Sequence, residues 1–88
     1  MDDSELIYQT RVNSAGTIIE KWINSEGDLF RINGPAFVET YSNGSKEEYW
    51  CQISGMRHRV NGSAVISYSE DGTIVNKEYW INGVQVNA

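Results

Sequence analysis

The chain has 88 residues, 12 acidic and seven basic side chains, one histidine and a formal net charge of −5. That length is one domain, and it buries only about 60–65% of its unfolded surface, so a large core is excluded. A single cysteine excludes an internal disulfide; with no CxxC or Cys/His cluster, no structural metal is expected.

The acidic, polar start Met1-Asp2-Asp3-Ser4-Glu5 does not read as a secretory leader, and no apolar run approaches the length of a transmembrane helix. A cytoplasmic location is expected, and the lone thiol fits a reducing compartment. The negative charge lies in residues 1–50, where nine carboxylates face four basic groups; residues 51–88 are balanced. No basic stripe is present, so direct binding to nucleic acid or to an anionic membrane is not expected, whereas a basic protein partner is permitted, including one that itself binds nucleic acid.

Along the chain, the eight glycines fall on one lattice. Gly16, Gly44 and Gly72 stand 28 residues apart, as do Gly27, Gly55 and Gly83, and Gly34 and Gly62. A fixed period of this size signals a repeat in which each unit buries its apolar face against its neighbour. Three copies are read: a partial one at about 7–34, a full one at 35–62 and a closing one at 63–88. Each opens on a glycine turn, Asn13–Gly16, Ser42–Gly44 or Glu70–Gly72. A β-prone run comes next: Thr17–Ile23, Ser45–Cys51 and Thr73–Ile81. A second glycine turn closes it. Then come Phe30-Arg-Ile-Asn-Gly-Pro-Ala36 and His58-Arg-Val-Asn-Gly-Ser-Ala64. Asn-Gly and Asp-Gly supply the positive φ that tight hairpins need. The spacing between glycines leaves room for strands and for no ordinary helix. The expected fold is all-β: an antiparallel meander of stacked hairpins with about eight or nine short strands.

Trp22 and Trp50 are in register with the lattice; Trp80 lies two residues late. A slip of two keeps a strand's face, so all three indoles are expected to point the same way. Tyr41 and Tyr68 differ by 27, an odd slip: either a bulge separates the corresponding strands or the two tyrosines face oppositely, and a bulge is the expectation.

Trp50, then His58-Arg59-Val60-Asn61-Gly62-Ser63-Ala64, Tyr68, Asp71-Gly72, Tyr79-Trp80 and Gly83 resemble the MORN-like repeats. These include the second MORN type of bacterial antitoxin-like proteins and the tryptophan-rich forms of phages and large DNA viruses. The first copy keeps Arg31, Asn33, Gly34, Pro35 and Ala36 but has Phe30 in place of the histidine. The resemblance covers most of residues 16–83. It implies a stack of β-hairpins used for binding rather than catalysis.

Trp22 and Trp50 read as a buried aromatic ladder, repeated because each hairpin needs the same anchor. Arg31 and Arg59 recur in register and read as structural, each paired with a carboxylate or carbonyl in the neighbouring unit. Arg57 and His58 have no earlier counterpart, because Leu29 and Phe30 hold those positions, so they are candidates for partner contact. Trp80, out of register, is the candidate for aromatic exposure. Glu47 and Glu48 are adjacent in a strand and point to opposite faces, which makes them solvated carboxylates available to a basic partner rather than a catalytic pair. Cys51 matches Ile23 and reads as a small buried hydrophobe, not a nucleophile. No catalytic, cofactor-binding or metal site is expected.

The leading expectation is a non-enzymatic protein-binding module, a small inhibitor of a host defence component of the kind phages encode, acting in the host cytoplasm. The alternatives are a carbohydrate- or cell-wall-binding module using exposed Trp and Tyr, and an antitoxin-like binder. The acidic first half, from Asp2 and Asp3 to Glu47 and Glu48, also admits nucleic-acid mimicry. A strand near Leu6–Val12 and one near Val84–Asn87 would leave open edges, so a homodimer or larger homo-oligomer is expected.

Overall fold

The computed structural model describes residues 6–53 and 55–86. It contains β1 (Ile7–Val12), β2 (Ile18–Ile23), β3 (Phe37–Thr40), β4 (Lys46–Tyr49), β5 (Val65–Tyr68), β6 (Ile74–Ile81) and β7 (Val84–Val86). All seven pair in chain order in one antiparallel sheet, with no helix among the described residues. This is the expected meander, with seven strands instead of eight or nine. The segments after Leu29 and His58 do not extend into strands; they hold only isolated bridges, such as Ile23 to Leu29 and Cys51 to His58.

The same bonds close each turn before an even-numbered strand. Asn13, Tyr41 and Ser69 donate their amides to Thr17, Ser45 and Thr73; Gly16, Gly44 and Gly72 donate back to Asn13, Tyr41 and Ser69. Side chains reinforce them: Asn13 Oδ1 accepts the Thr17 amide, Asn43 Oδ1 that of Ser45, and Asp71 Oδ1 that of Thr73. Gly16, Gly44 and Gly72 have φ of 83°, 94° and 88°, a region that L side chains rarely adopt.

Register assigns the faces, because residues directly opposite each other share one. On the first face run Gln9–Lys21–Phe37–Tyr49–Val65–Glu78 and, beside it, Arg11–Ile19–Glu39–Glu47–Ser67–Asn76. On the second face run Thr10–Glu20–Val38–Glu48–Ile66–Lys77, with Tyr8 opposite Trp22 beside it.

The buried apolar residues are small: Ala36, Val38, Cys51, Ala64 and Val65, with no large side chain fully buried among the described residues; Trp22 and Trp50, expected as a buried ladder, are only half-buried because a single sheet covers one side of each ring. Stability therefore rests on the strand ladder and on stacked aromatic and guanidinium groups rather than on a thick core. Arg31 lies 4.0 Å from the Trp22 ring centroid and Arg59 lies 3.6 Å from that of Trp50. Each guanidinium also donates through Nη1 to a carbonyl four residues on, Pro35 at 3.4 Å and Ser63 at 3.1 Å. On its other side sits a glycine. A Cβ on Gly34 would stand 2.8 Å from Arg31 Cζ, and one on Gly62 would stand 2.9 Å from Arg59 Cζ. The recurring Trp, Arg and Gly are thus one structural unit, an arginine clamped between an indole and a bare backbone. The structural reading of Arg31 and Arg59 matches this, with a local carbonyl as partner and the indole as an addition.

One feature of the sheet departs from expectation. Tyr68 lies opposite Ile74 but Ser67 lies opposite Asn76, so β6 carries Val75 as an extra residue. The bulge shifts the rest of the strand by one. Arg59 donates its amide to Trp80, as Arg31 does to Cys51. Trp80 therefore occupies the position of Cys51, not that of Trp50, and lies on the first face while Trp22 and Trp50 lie on the second. The three indoles do not point the same way. Tyr41 and Tyr68 also face oppositely: their hydroxyls donate to Glu47 and Glu48, on opposite faces of β4. The bulge lies in β6 rather than between the strands that hold them.

Candidate functional site

The first face holds an open depression of about 480 Å³ where β3, β4 and β6 meet the turns at Gly55 and Gly83. Its floor comprises Phe37, Tyr49 and Cys51. Phe37 and Tyr49 are directly opposite, with ring centroids 5.6 Å apart and tilted by 59°. Trp80 forms one wall, with Nε1 donating to Glu78 Oε1 at 2.9 Å. Arg57 reaches across. Its guanidinium carbon lies 5.1 Å from the Tyr49 ring centroid and 5.0 Å from that of Trp80, and the residue remains exposed. Met56, 39% exposed, sits at the rim.

The carboxylates are arranged by pairing. Glu39 and Glu47 stand directly opposite each other. Glu47 accepts from the Tyr41 hydroxyl at 2.7 Å and, more weakly, from Tyr49 and Ser67. That bond to Glu47, followed by burial, raises the Tyr41 pKa well above the usual tyrosine range. Tyr49 is also raised, first by burial and then by the charge of Glu47. Both phenols are therefore donors and do not act as bases. Glu48 lies on the second face, where it accepts from Tyr68 and meets Lys46 at 3.5 Å.

Burial pushes the Cys51 thiol up to about 11, against a smaller opposing pull from Arg57. A reactive cysteine needs the reverse shift. Cys51 is 3% exposed, as the small buried hydrophobe expected. His58 is half-buried, and its Nδ1 accepts the Asn82 amide at 2.9 Å. This bond props the β6–β7 turn, where Asn82 has φ of 52°.

Arg57 and Trp80 thus come together in one cluster. His58 stands beside it with one ring nitrogen committed to the backbone. Glu47 lies on the same face, in the next row, and Glu48 lies behind the sheet. Missed at the sequence level were Tyr49, Phe37 and Glu39, which reach the cluster only through strand pairing. The alternation in Phe37-Val-Glu39 and in Glu47-Glu-Tyr49-Trp-Cys51 was the available signal, but nothing local said which alternate set would meet Trp80.

No known family, characterised protein or solved structure matches the chain. The fold and this cluster define its class: an all-β single-sheet protein with an aromatic and arginine patch on one face.

Proposed function

We propose that the chain is a non-enzymatic protein-binding module and that its first face makes the contact. The supporting observation is Arg57, held exposed between the rings of Tyr49 and Trp80. Tyr, Trp and Arg are the residue types that dominate binding hot spots, because they bring large, pre-ordered contact area and directional donors. Arg57 is already ordered by the two rings, so little side-chain entropy remains to be lost on binding. The carboxylates Glu39, Glu47 and Glu78 on the same face favour a partner with basic groups around an apolar centre, such as a protein that itself binds nucleic acid.

Within that class we place the chain as a small cytoplasmic inhibitor that blocks a host defence component. The resemblance to viral hairpin repeats supports this narrower role. Affinity capture from host lysate tests it, comparing the native chain with R57A and W80A. A protein retained by the native chain and lost from both variants is expected. Retention of the same protein by both would remove the face from consideration, and retention of nothing would end the inhibitor reading.

A second reading, a carbohydrate-binding module, draws on the same open depression, since Trp80 and Tyr49 offer aromatic surface beside hydrogen-bonding carboxylates. Titration with glycans while following indole fluorescence separates the two: a saturable change lost in W80A favours sugar.

A further inference from the structure

Among the described residues, the outer side of β6 is covered by β7 only over Tyr79–Ile81, and Ile74–Glu78 have no strand beside them. The other even-numbered strands have no such gap: β2 takes β3 over Ile18–Lys21, and β4 takes β5 along its whole length. On the opposite edge of the sheet, β1 is exposed throughout and, among the described residues, pairs only with β2. Within the sheet, β1 occupies the place that β3 and β5 occupy after it, leading into the same turn geometry.

The turns show the same incompleteness. A Cβ at Gly16 would meet Ser42, and one at Gly44 would meet Glu70, but one at Gly72 would meet nothing. At the other end of the hairpins, Gly55 lies against Asp28 and Gly83 against Met56, while Gly27 lies against nothing. Among the described residues, each turn series therefore stacks on its neighbour and has one member with no such contact, Gly72 in one and Gly27 in the other. Eight of the twelve exposed large apolar side chains lie on β1, β6 and β7, among them Ile7, Tyr8 and Val12 on one edge and Ile74, Val75 and Val84 on the other; Ile18, Ile32, Met56 and Val60 lie elsewhere.

We infer that copies of this chain associate head to tail, with Gln9–Val12 of β1 in one copy completing the side of β6 left open over Ile74–Glu78 in the next, as Phe37–Thr40 does on β2; Ile7 and Tyr8 stay outside the joint, where β7 already covers Tyr79 and Trp80. This deepens the reading of the chain as a binding module and rests on it. The internal joints fix the register. Glu20 lies opposite Val38, and Glu48 lies opposite Ile66. Carrying that spacing onward, with the extra Val75 counted, sets Lys77 opposite Thr10 of the second copy and Asn76 opposite its Arg11. Arg11 then falls diagonally beside Glu78, a favourable cross-strand charge pair. The free Gly72 turn falls on Ser14 of the second copy, and the second copy's Gly27 falls on Val84.

The backbone groups match as well. Asn13 donates to Thr17, so by alternation Arg11 turns its amide toward β2 and Thr10 turns its own outward. Glu78 accepts from Ala64, so Lys77 turns outward on β6. The joint is heterologous, unlike a two-fold dimer in which β1 meets β1.

The test uses two proline variants, T10P and K77P, each removing one outward amide while leaving the internal ladder intact. Multi-angle light scattering on the native chain is expected to give a mass above 10.0 kDa that rises with concentration. Each variant alone is expected to be monomeric with native circular dichroism, and their equimolar mixture to return to about twice the monomer mass, because one retains β6 and the other β1. A native chain that stays monomeric at high micromolar concentration overturns the inference, even if it captures a protein partner. So does a variant that still assembles alone, or a mixture that does not. Should a proline variant lose its sheet signal, R11C and N76C in a C51A background decide instead. Disulfides between the two variants are expected; disulfides only within one variant refute the head-to-tail joint.

Discussion

Replacing Gly62 with alanine isolates the arginine clamp. The φ of Gly62 does not lie in the left-handed region, so backbone strain is not the issue. The new Cβ would stand 2.9 Å from Arg59 Cζ, 3.0 Å from Nη1 and 3.1 Å from Nε. The guanidinium is the end of a flexible side chain and would move, leaving the Trp50 ring and the Ser63 carbonyl. The stacking is worth about 1–2 kcal/mol for a partly desolvated pair. The hydrogen bond adds about 1 kcal/mol, part of which water restores. Against this, alanine stiffens the unfolded chain, a gain of about 0.4–1 kcal/mol. The net expectation is a loss of about 1–2 kcal/mol, or roughly 5–15 °C in Tm for a domain of this size. The decisive measurement is the same substitution in an R59A background. With the guanidinium gone, the Cβ meets no side chain of Arg59, and G62A should stabilise by about 0.4–1 kcal/mol. Urea unfolding followed by indole fluorescence gives both values. A loss of similar size in both backgrounds would refute the clamp and make Gly62 a backbone requirement.

Three further outcomes are expected. Because the buried Cys51 thiol sits at about 11, iodoacetamide at pH 8 should label it far more slowly than a free thiol, with full labelling in urea; labelling at the free rate would refute its burial. Asp71 is held at about 2, first by the Ser69 hydroxyl and then by the Thr73 amide. Its contribution to stability should be present above the unfolded value near 3.8 and disappear as pH falls toward 2, and D71N should flatten that part of the acid transition; an NMR titration of Asp71 at the ordinary value would contradict this. Glu39 directly faces Glu47, which is tied to Tyr41, so E39Q should stabilise the sheet by about 0.2–1 kcal/mol in low-salt urea titrations, with the gain shrinking in high salt. A loss on E39Q would show that Glu39 has an attractive role in the sheet.

The strand order and turns were legible in the sequence because both depend on short-range chemistry. A glycine at positive φ forms each turn, as at Gly16, Gly44 and Gly72, and the β-branched and aromatic run between turns forms the strand. The recurrence of Arg31 and Arg59 also pointed to structure, although the indole beneath each guanidinium was not foreseen. The strand count fell to seven, and the segments after Leu29 and His58 hold isolated bridges and tuck an arginine under Gly34 or Gly62 instead of extending into strands.

The sequence alone determined where the chain turns, that it forms hairpins, and that Cys51 is buried. Tertiary structure decided which side chains share a face. In a sheet the side chains alternate with period two, so the single extra residue Val75 moved Trp80 from the side of Trp22 and Trp50 to that of Tyr49 and Arg57. Whether a two-residue offset is absorbed as two in-strand steps or split by a bulge depends on the pairing of β6 with β5, a non-local match that no window of the chain contains. Strand pairing elsewhere is equally non-local: β3 against β4 brought Glu39 to Glu47, and β7 covers β6, among the described residues, only over Tyr79–Ile81.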